Sequence, residues 1–188
     1  MTPAAAASLV APLQAVQRLL GRFHDQGMFI GGVAASLLGR PRLTFDIDVL
    51  ILLSTDDLPG LIQAAAQEGL APRIAEADVF AREHRILLLR HLESGIAVDI
   101  SLGMLPFERE AVQRSVLHDT GTLAVRLPTP EDLIVLKAVA HRPKDLLDIQ
   151  ALIETNPDLD RERIRFWARE FAEALDMPEL WTDIAPWL

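Results

Sequence analysis

Two aspartates interrupt an apolar run at Phe45-Asp46-Ile47-Asp48-Val49-Leu50-Ile51-Leu52-Leu53. The β-branched and aliphatic residues around them predict a buried strand. Strand side chains alternate between faces, so Asp46 and Asp48 share one face, roughly 7 Å apart. Two carboxylates on a face that is otherwise apolar repel each other and resist desolvation. Such a pair persists where a positive charge sits between them. A divalent cation, which prefers hard oxygen ligands, meets that need. The structural alternative is that Asp46 caps a turn and Asp48 pairs with a nearby arginine.

A second apolar run, Ile96-Ala97-Val98-Asp99-Ile100, is interrupted in the same way by Asp99. If this strand lies beside the first, three carboxylates converge. A set of three can hold two divalent ions, and two ions can clamp the attacking and leaving oxygens of a phosphoryl-type displacement. Upstream, Gly31-Gly32 falls where a short apolar run gives way to a helix. Backbone amides there can approach a phosphate closely, and a helix N-terminus favours an anion. A tight turn explains a glycine pair equally well.

Composition narrows the alternatives. Half of the 188 residues are apolar, which supports a packed core rather than disorder. With no Cys, a disulfide framework, a thiolate metal site and a cysteine nucleophile are excluded. The formal net charge of −9 and the absence of Tyr weigh against a broad phosphate-binding surface with base-stacking aromatics. Met1 to Gly21 is rich in Ala and Leu but is broken by Gln14, Gln17 and Arg18, so it reads as an amphipathic helix rather than a signal peptide. No apolar stretch is long enough to span a bilayer. A cytoplasmic protein with no membrane partner is expected. The histidines are scattered, and no pair has the spacing of helical metal ligands.

The pattern predicts an α+β chain. A helix is expected from about Ser8 to His24 and another over Val33 to Leu38. The aspartate strand covers Phe45 to Leu53, and a helix follows to about Glu68. Arg85 to His91 and Ile96 to Ser101 read as a hairpin across Glu93-Ser94-Gly95. A short helix over Pro106 to Gln113 and a strand pair, Val116 to His118 with Leu123 to Leu127, come next. Thr129-Pro130-Glu131-Asp132 is helix-start chemistry. The remainder is helical, with Pro143 opening one helix and Asp158 or Asp160 the next. Ile164, Trp167, Phe171 and Leu175 are spaced for one face. The expected division is a sheet-and-helix core over residues 1–127 and a helical part over 128–188, packed as one unit.

The ordered combination Ile30-Gly31-Gly32, thirteen residues from Val33 to Phe45, then Asp46-Ile47-Asp48 resembles the nucleotidyltransferase superfamily of the polymerase-beta type. The longer stretch GGVAASLLGRPRLTFDIDVL is similar to the AbiEii-type branch, and Arg42 and Thr44 match that branch's pattern before the aspartates. Asp99 falls where the family places its third carboxylate. Lys137 to Asp148, which holds both lysines of the chain together with Arg142, Asp145 and Asp148, resembles the branch's helical basic and acidic segment. Residues 156–188 match no such pattern.

The resemblance implies a mixed β-sheet flanked by helices and a magnesium-dependent transfer, with two ions, of a nucleotidyl group from a nucleoside triphosphate to an acceptor hydroxyl. Asp46, Asp48 and Asp99 would be the metal-binding and catalytic residues. Gly31, Gly32, Arg42, Thr44 and Lys137 would bind the nucleotide. The acceptor is left open among transfer RNA, protein and small molecules, and a cognate antitoxin is an expected partner. The alternative is a non-catalytic nucleotide-binding or antitoxin subunit of the same fold. Lys137 carries the only charge between Leu133 and Ala140, so its ammonium needs an anion. That anion is either a triphosphate or the carboxylates of Asp145 and Asp148. Arg42 faces a similar choice between phosphate and an aspartate of the site.

Overall fold

The two aspartate-bearing runs become neighbouring strands inside one sheet. The protein, seen here as a computed structural model, is described for residues 3–24 and 26–188, and for side chains of the first helix from Leu9 onward. Helix α1 (Pro3–Gly21) leads into β1 (Gly27–Ile30), α2 (Gly31–Leu38) and β2 (Asp46–Ile51). Then come α3 (Leu58–Gln67), β3 (Leu70–Pro72), α4 (Ala77–His84), β4 (Ile86–His91) and β5 (Ala97–Leu102). Helix α5 (Pro106–Arg114) precedes the hairpin of β6 (Val116–Asp119) and β7 (Ala124–Leu127). The chain closes with α6 (Pro130–Ala140), α7 (Pro143–Thr155), α8 (Arg161–Ala174) and α9 (Glu179–Thr182).

The main sheet has the order β1-β2-β5-β4-β3. Strands β2 and β5 are parallel, and the other pairs are antiparallel. A parallel pair needs a crossover, here supplied by everything from α3 to β4. One face of the sheet presents Ile47, Val49 and Ile51 with Val98, Ile100 and Leu102, all buried. On the opposite face Asp46 and Asp48 stand with Ala97, Asp99 and Ser101, all partly exposed. The period-two alternation therefore separates the core from the carboxylates. This is the α+β architecture expected, a mixed sheet with flanking helices.

The helix boundaries follow local chemistry. Thr129 accepts the Asp132 N–H at 3.3 Å, with Pro130 in the first turn of α6. Asp160 accepts the Arg163 N–H at 3.0 Å and starts α8. Glu108 reaches back to the N–H groups of Met104 and Leu105, at 2.7 and 2.8 Å, ahead of α5. Two elements, β3 and α4, lack a periodic signal. Strand β3 is three residues long and includes Pro72, which is tolerated because β3 is an edge strand. Helix α4 buries only Ala77 and Ala81, side chains too small to mark a hydrophobic face.

The C-terminal helices pack through α8. Ile164, Ala168 and Ala172 are its buried residues, and Trp167 and Phe171 are partly buried. Leu175 caps the end of the helix and is half exposed, so it does not continue the expected face. Phe107 of α5, 1% exposed, meets the rings of Trp167 and Phe171 edge-on at centroid distances of 5.2 and 5.5 Å. This aromatic cluster joins α8 to the sheet domain. Phe107→Ala is expected to cost about 3–5 kcal/mol, measured as a lowered urea midpoint at unchanged slope.

Candidate active site

The register of β2 against β5 sets Asp48 directly beside Asp99. Neighbouring strands lie about 4.8 Å apart, so the two carboxylates share one small patch, with Asp46 two residues earlier on the same face. On its other side β2 pairs with β1, and Ile30 lies opposite Asp48. The chain then turns at Gly31 into α2. Gly31 has a φ of +60°, and a Cβ there would sit 1.8 Å from Asp48 Oδ2. A Cβ on Gly32 would lie 2.4 Å from Thr44 Oγ1. The glycine pair is thus required by the close approach of Asp48 and Thr44 to the start of α2. Thr44 in turn donates to Asp46 Oδ1 at 2.9 Å and fixes that carboxylate.

Asp48 is the most strained charge of the set. Burial pushes its carboxyl up from the ordinary range, and the negative charges of Asp46 and Asp99 add to the effect. The Gly32 N–H, and Arg142 at longer range, oppose it without cancelling it. A raised native pKa means that the folded state holds this proton more tightly than the unfolded chain does. Stability is therefore lost as pH rises through the native pKa.

Asp99 is held by Arg73, the residue after β3. The guanidinium grips both carboxylate oxygens, Nη1 with Oδ1 and Nη2 with Oδ2, the second at 3.2 Å. Sequence reasoning missed Arg73. It follows a three-residue strand with no periodicity to show which way it points. Among the described residues no three acidic or histidine side chains gather around a single point as a ready metal cluster, and Asp99 is turned to Arg73.

Lys137 is 3% exposed and pairs with two carboxylates, Asp145 at 2.8 Å and Asp148 at 2.7 Å. Asp148 also accepts two hydrogen bonds from Arg42, at 2.8 and 2.9 Å. Asp145 accepts from the Arg142 side chain at 2.5 Å. The result is a row, Arg42, Asp148, Lys137, Asp145, Arg142, in which every carboxylate has two cations. Of the anions open to Lys137, the two carboxylates are the ones it meets. Arg42 likewise meets Asp148 of α7 rather than Asp46 or Asp48. A cleft of about 340 Å³ is lined by Gly31, Asp48, Ser101, Lys137, Arg142 and Asp145, so the Lys137–Asp145–Arg142 end of the row borders the space in front of Asp48. Lys144 belongs to neither the row nor the cleft lining.

Comparison with known proteins gives the family and the fold. Residues 15–182 match the family described as nucleotidyl transferase AbiEii toxin, type IV toxin–antitoxin system. The chain belongs to the AbiEii family. No curated protein matches its sequence. Among solved structures it is similar to the antibiotic-resistance factor ANT(2'')-Ia, with a TM-score of 0.60 at 15% identity over 92% of this chain and 96% of that one. It is also similar to an antigenic nucleotidyltransferase-like protein from Paracoccidioides brasiliensis, with a TM-score of 0.55 at 14% identity over 93% and 92%. At these identities the likeness is one of fold, and the fold is that of nucleotidyltransferases. Among the described residues no helix is long and apolar enough to cross a membrane.

The AbiEii fold suggests a divalent cation, and the residues present fit one. The donors are hard carboxylate oxygens, the ligands magnesium prefers. Asp48 is destabilised as an anion until a cation neutralises it, and a guanidinium already stands against Asp99. Asp48 lines the cleft, Asp46 stands two residues earlier on the same strand face, and Asp99 is paired with Arg73.

Two outcomes test this construction. Gly31→Ala is expected to lower stability by at least about 1 kcal/mol from the left-handed backbone alone and to weaken Mn²⁺ binding in a calorimetric titration, because the methyl displaces Asp48. Lys137→Met is expected to cost about 3–5 kcal/mol, as breaking a buried ion pair does. The same variant should change the acid limb. For Asp145 and Asp148 burial alone pushes the carboxyls up, but hydrogen bonds and charge from Arg142, Arg42 and Lys137 hold them below the usual range. Their contribution is present above the unfolded value near 3.8 and is lost as pH falls through the depressed native values. Urea melts from pH 2 to 6 should show a shallower acid loss in the Lys137 variant.

Proposed function

We propose that this chain is a magnesium-dependent nucleotidyltransferase that moves a nucleotidyl group from a nucleoside triphosphate to an acceptor hydroxyl. The observation that carries the reading is Asp48 beside Asp99 across β2 and β5, with Asp46 on the same face, in a chain of the AbiEii family. Asp46 and Asp48 would hold the magnesium ions, and Asp99 completes the set. When bound, the ions supply charge neutralisation at the attacking and leaving oxygens.

The protein's own residues do the positioning that phosphoryl-type transfer depends on. Gly31 and Gly32 carry no side chains, which lets Asp48 and Thr44 close on the start of α2, and the nucleotide phosphates would lie along this turn. Lys137 and Arg142 set positive charge along the cleft wall, where a triphosphate would lie, and Arg42 would act from behind it through Asp148. Thr44 keeps Asp46 oriented. Asp99 accepts the proton of the acceptor hydroxyl, whose oxygen bonds to the α-phosphorus. The bond from that phosphorus to its bridging oxygen breaks, and pyrophosphate leaves with the electron pair.

The family description supports a toxin with a cognate antitoxin as partner. We place the protein in the cytoplasm, where triphosphates are supplied. Acceptors to be separated by experiment are RNA, including the transfer-RNA 3′ end, protein and small molecules. A second reading, a nucleotide-binding or partner subunit without catalysis, draws on Arg73 and Lys137, both of which are paired with carboxylates in the isolated chain.

The test is incubation of the chain with each α-³²P-labelled triphosphate, magnesium and cell extract, followed by separation of RNA, protein and small molecules. Label in one fraction is expected, reduced at least about 100-fold in Asp46→Asn, since even the loss of a partner outside the ligand set costs ~10–100-fold. Calorimetric binding without label would select the second reading. No binding of any triphosphate would overturn both. Asp48→Asn should abolish labelling yet raise the melting temperature of the cation-free protein at pH 7.5, because it removes a charge that destabilises the fold there. A lowered melting temperature would contradict the assignment of Asp48 as an uncompensated charge.

A further inference from the structure

We propose that Arg73 is a positioning residue that stands in for a divalent cation at Asp99 and must release Asp99 before the metal site closes. The proposal rests on the nucleotidyltransferase reading. Its geometry is specific. Arg73 donates its backbone N–H to Leu88 O at 3.1 Å, which fixes the residue against β4 beyond the end of β3. Its side chain then crosses β4, passing 3.4 Å from Leu89 O, and reaches Asp99 on β5. The fork-to-fork pairing with both oxygens occupies the oxygens a cation would need. Asp99 lies beside Asp48 in the register, so Arg73 also feels the fields of Asp46 and Asp48.

The two ways of neutralising Asp99 exclude each other. A guanidinium and a divalent ion carry like charge and compete for the same two oxygens. The contrast with Lys137 shows which cation is movable. The Lys137 side chain is 4% exposed and lies between two carboxylates. The Arg73 side chain is 26% exposed, has one carboxylate partner among the described residues and follows the edge strand of the sheet. Its long stem can swing into solvent without opening the core. Held this way, the isolated protein keeps Asp99 oriented and neutralised in the absence of metal. The cation then gains its third ligand only by displacing Arg73.

The test is Mn²⁺ binding to the full chain without nucleotide, followed by calorimetry and by the electron paramagnetic resonance of free Mn²⁺, in the wild type, Arg73→Gln, Arg73→Lys and Asp46→Asn. Arg73→Gln is expected to bind Mn²⁺ about ten-fold or more tightly than wild type, since a charged hydrogen-bonded pair no longer competes, with Arg73→Lys between them. Melting temperature supplies a second readout. Arg73→Gln should be less stable than wild type without Mn²⁺ and should gain more from its addition. A merely structural salt bridge would instead lower stability equally with and without Mn²⁺ and leave affinity unchanged, and that result overturns the proposal. Equal binding by wild type and Arg73→Gln that Asp46→Asn abolishes would sink the Arg73 role alone. Absence of Mn²⁺ binding in every variant would remove the metal-site reading and this inference with it.

Discussion

Repulsion among three partly desolvated carboxylates on β2 and β5 is the constraint around which the rest of the site is arranged. Charges this close cannot all be buried without compensation. Each surrounding feature answers it. The Gly32 amide and the start of α2 support Asp48, the Thr44 hydroxyl supports Asp46, and Arg73 neutralises Asp99. What remains uncompensated falls on Asp48, whose carboxyl is held above its ordinary range. The protein therefore carries a local electrostatic deficit where a cation would be most useful. Natural proteins keep such deficits at functional sites because stability elsewhere tolerates them.

The second charged system is of the opposite kind. In the row from Arg42 to Arg142 every carboxylate has two cations, and the buried ammonium of Lys137 has two carboxylates. Because the groups are saturated, the row is stiff. It ties α6 and α7 to the loop between α2 and β2, the loop that leads into Asp46. Removing Lys137 would leave Asp145 and Asp148, both buried, with one arginine each. The cleft thus has one wall in which Lys137 and Arg142 are paired with Asp145, and a floor at Asp48 that is negative and only partly neutralised.

Much of the fold was legible in the sequence because its signals are local. The alternation in β2 and β5, the turn at Glu93-Ser94-Gly95 and the helix start at Thr129-Pro130 each encode their element within a few residues. Strand β3 and helix α4 were not legible. A three-residue edge strand ending in proline has no period, and a helix that buries only alanines has no hydrophobic face. At the site, Asp46, Asp48 and Asp99 stood out because a charge inside an apolar strand is costly wherever it lies. The Gly31-Gly32 pair was visible as a pattern, but its cause, the approach of Asp48 and Thr44 within a methyl's radius, was not.

The sequence by itself determined which charges interrupt the strands and which strand faces they occupy, since strand periodicity and the cost of burying charge are properties of short segments. It determined the AbiEii-type order of glycines, aspartates and the basic helix as well. Tertiary structure decided the partners. It paired β2 with β5 in the register that sets Asp48 beside Asp99. It turned Lys137 and Arg42 toward Asp145 and Asp148, and it brought Arg73 across β4 to Asp99. These choices join residues tens of positions apart, and an ion pair depends on distances in space that no local pattern records.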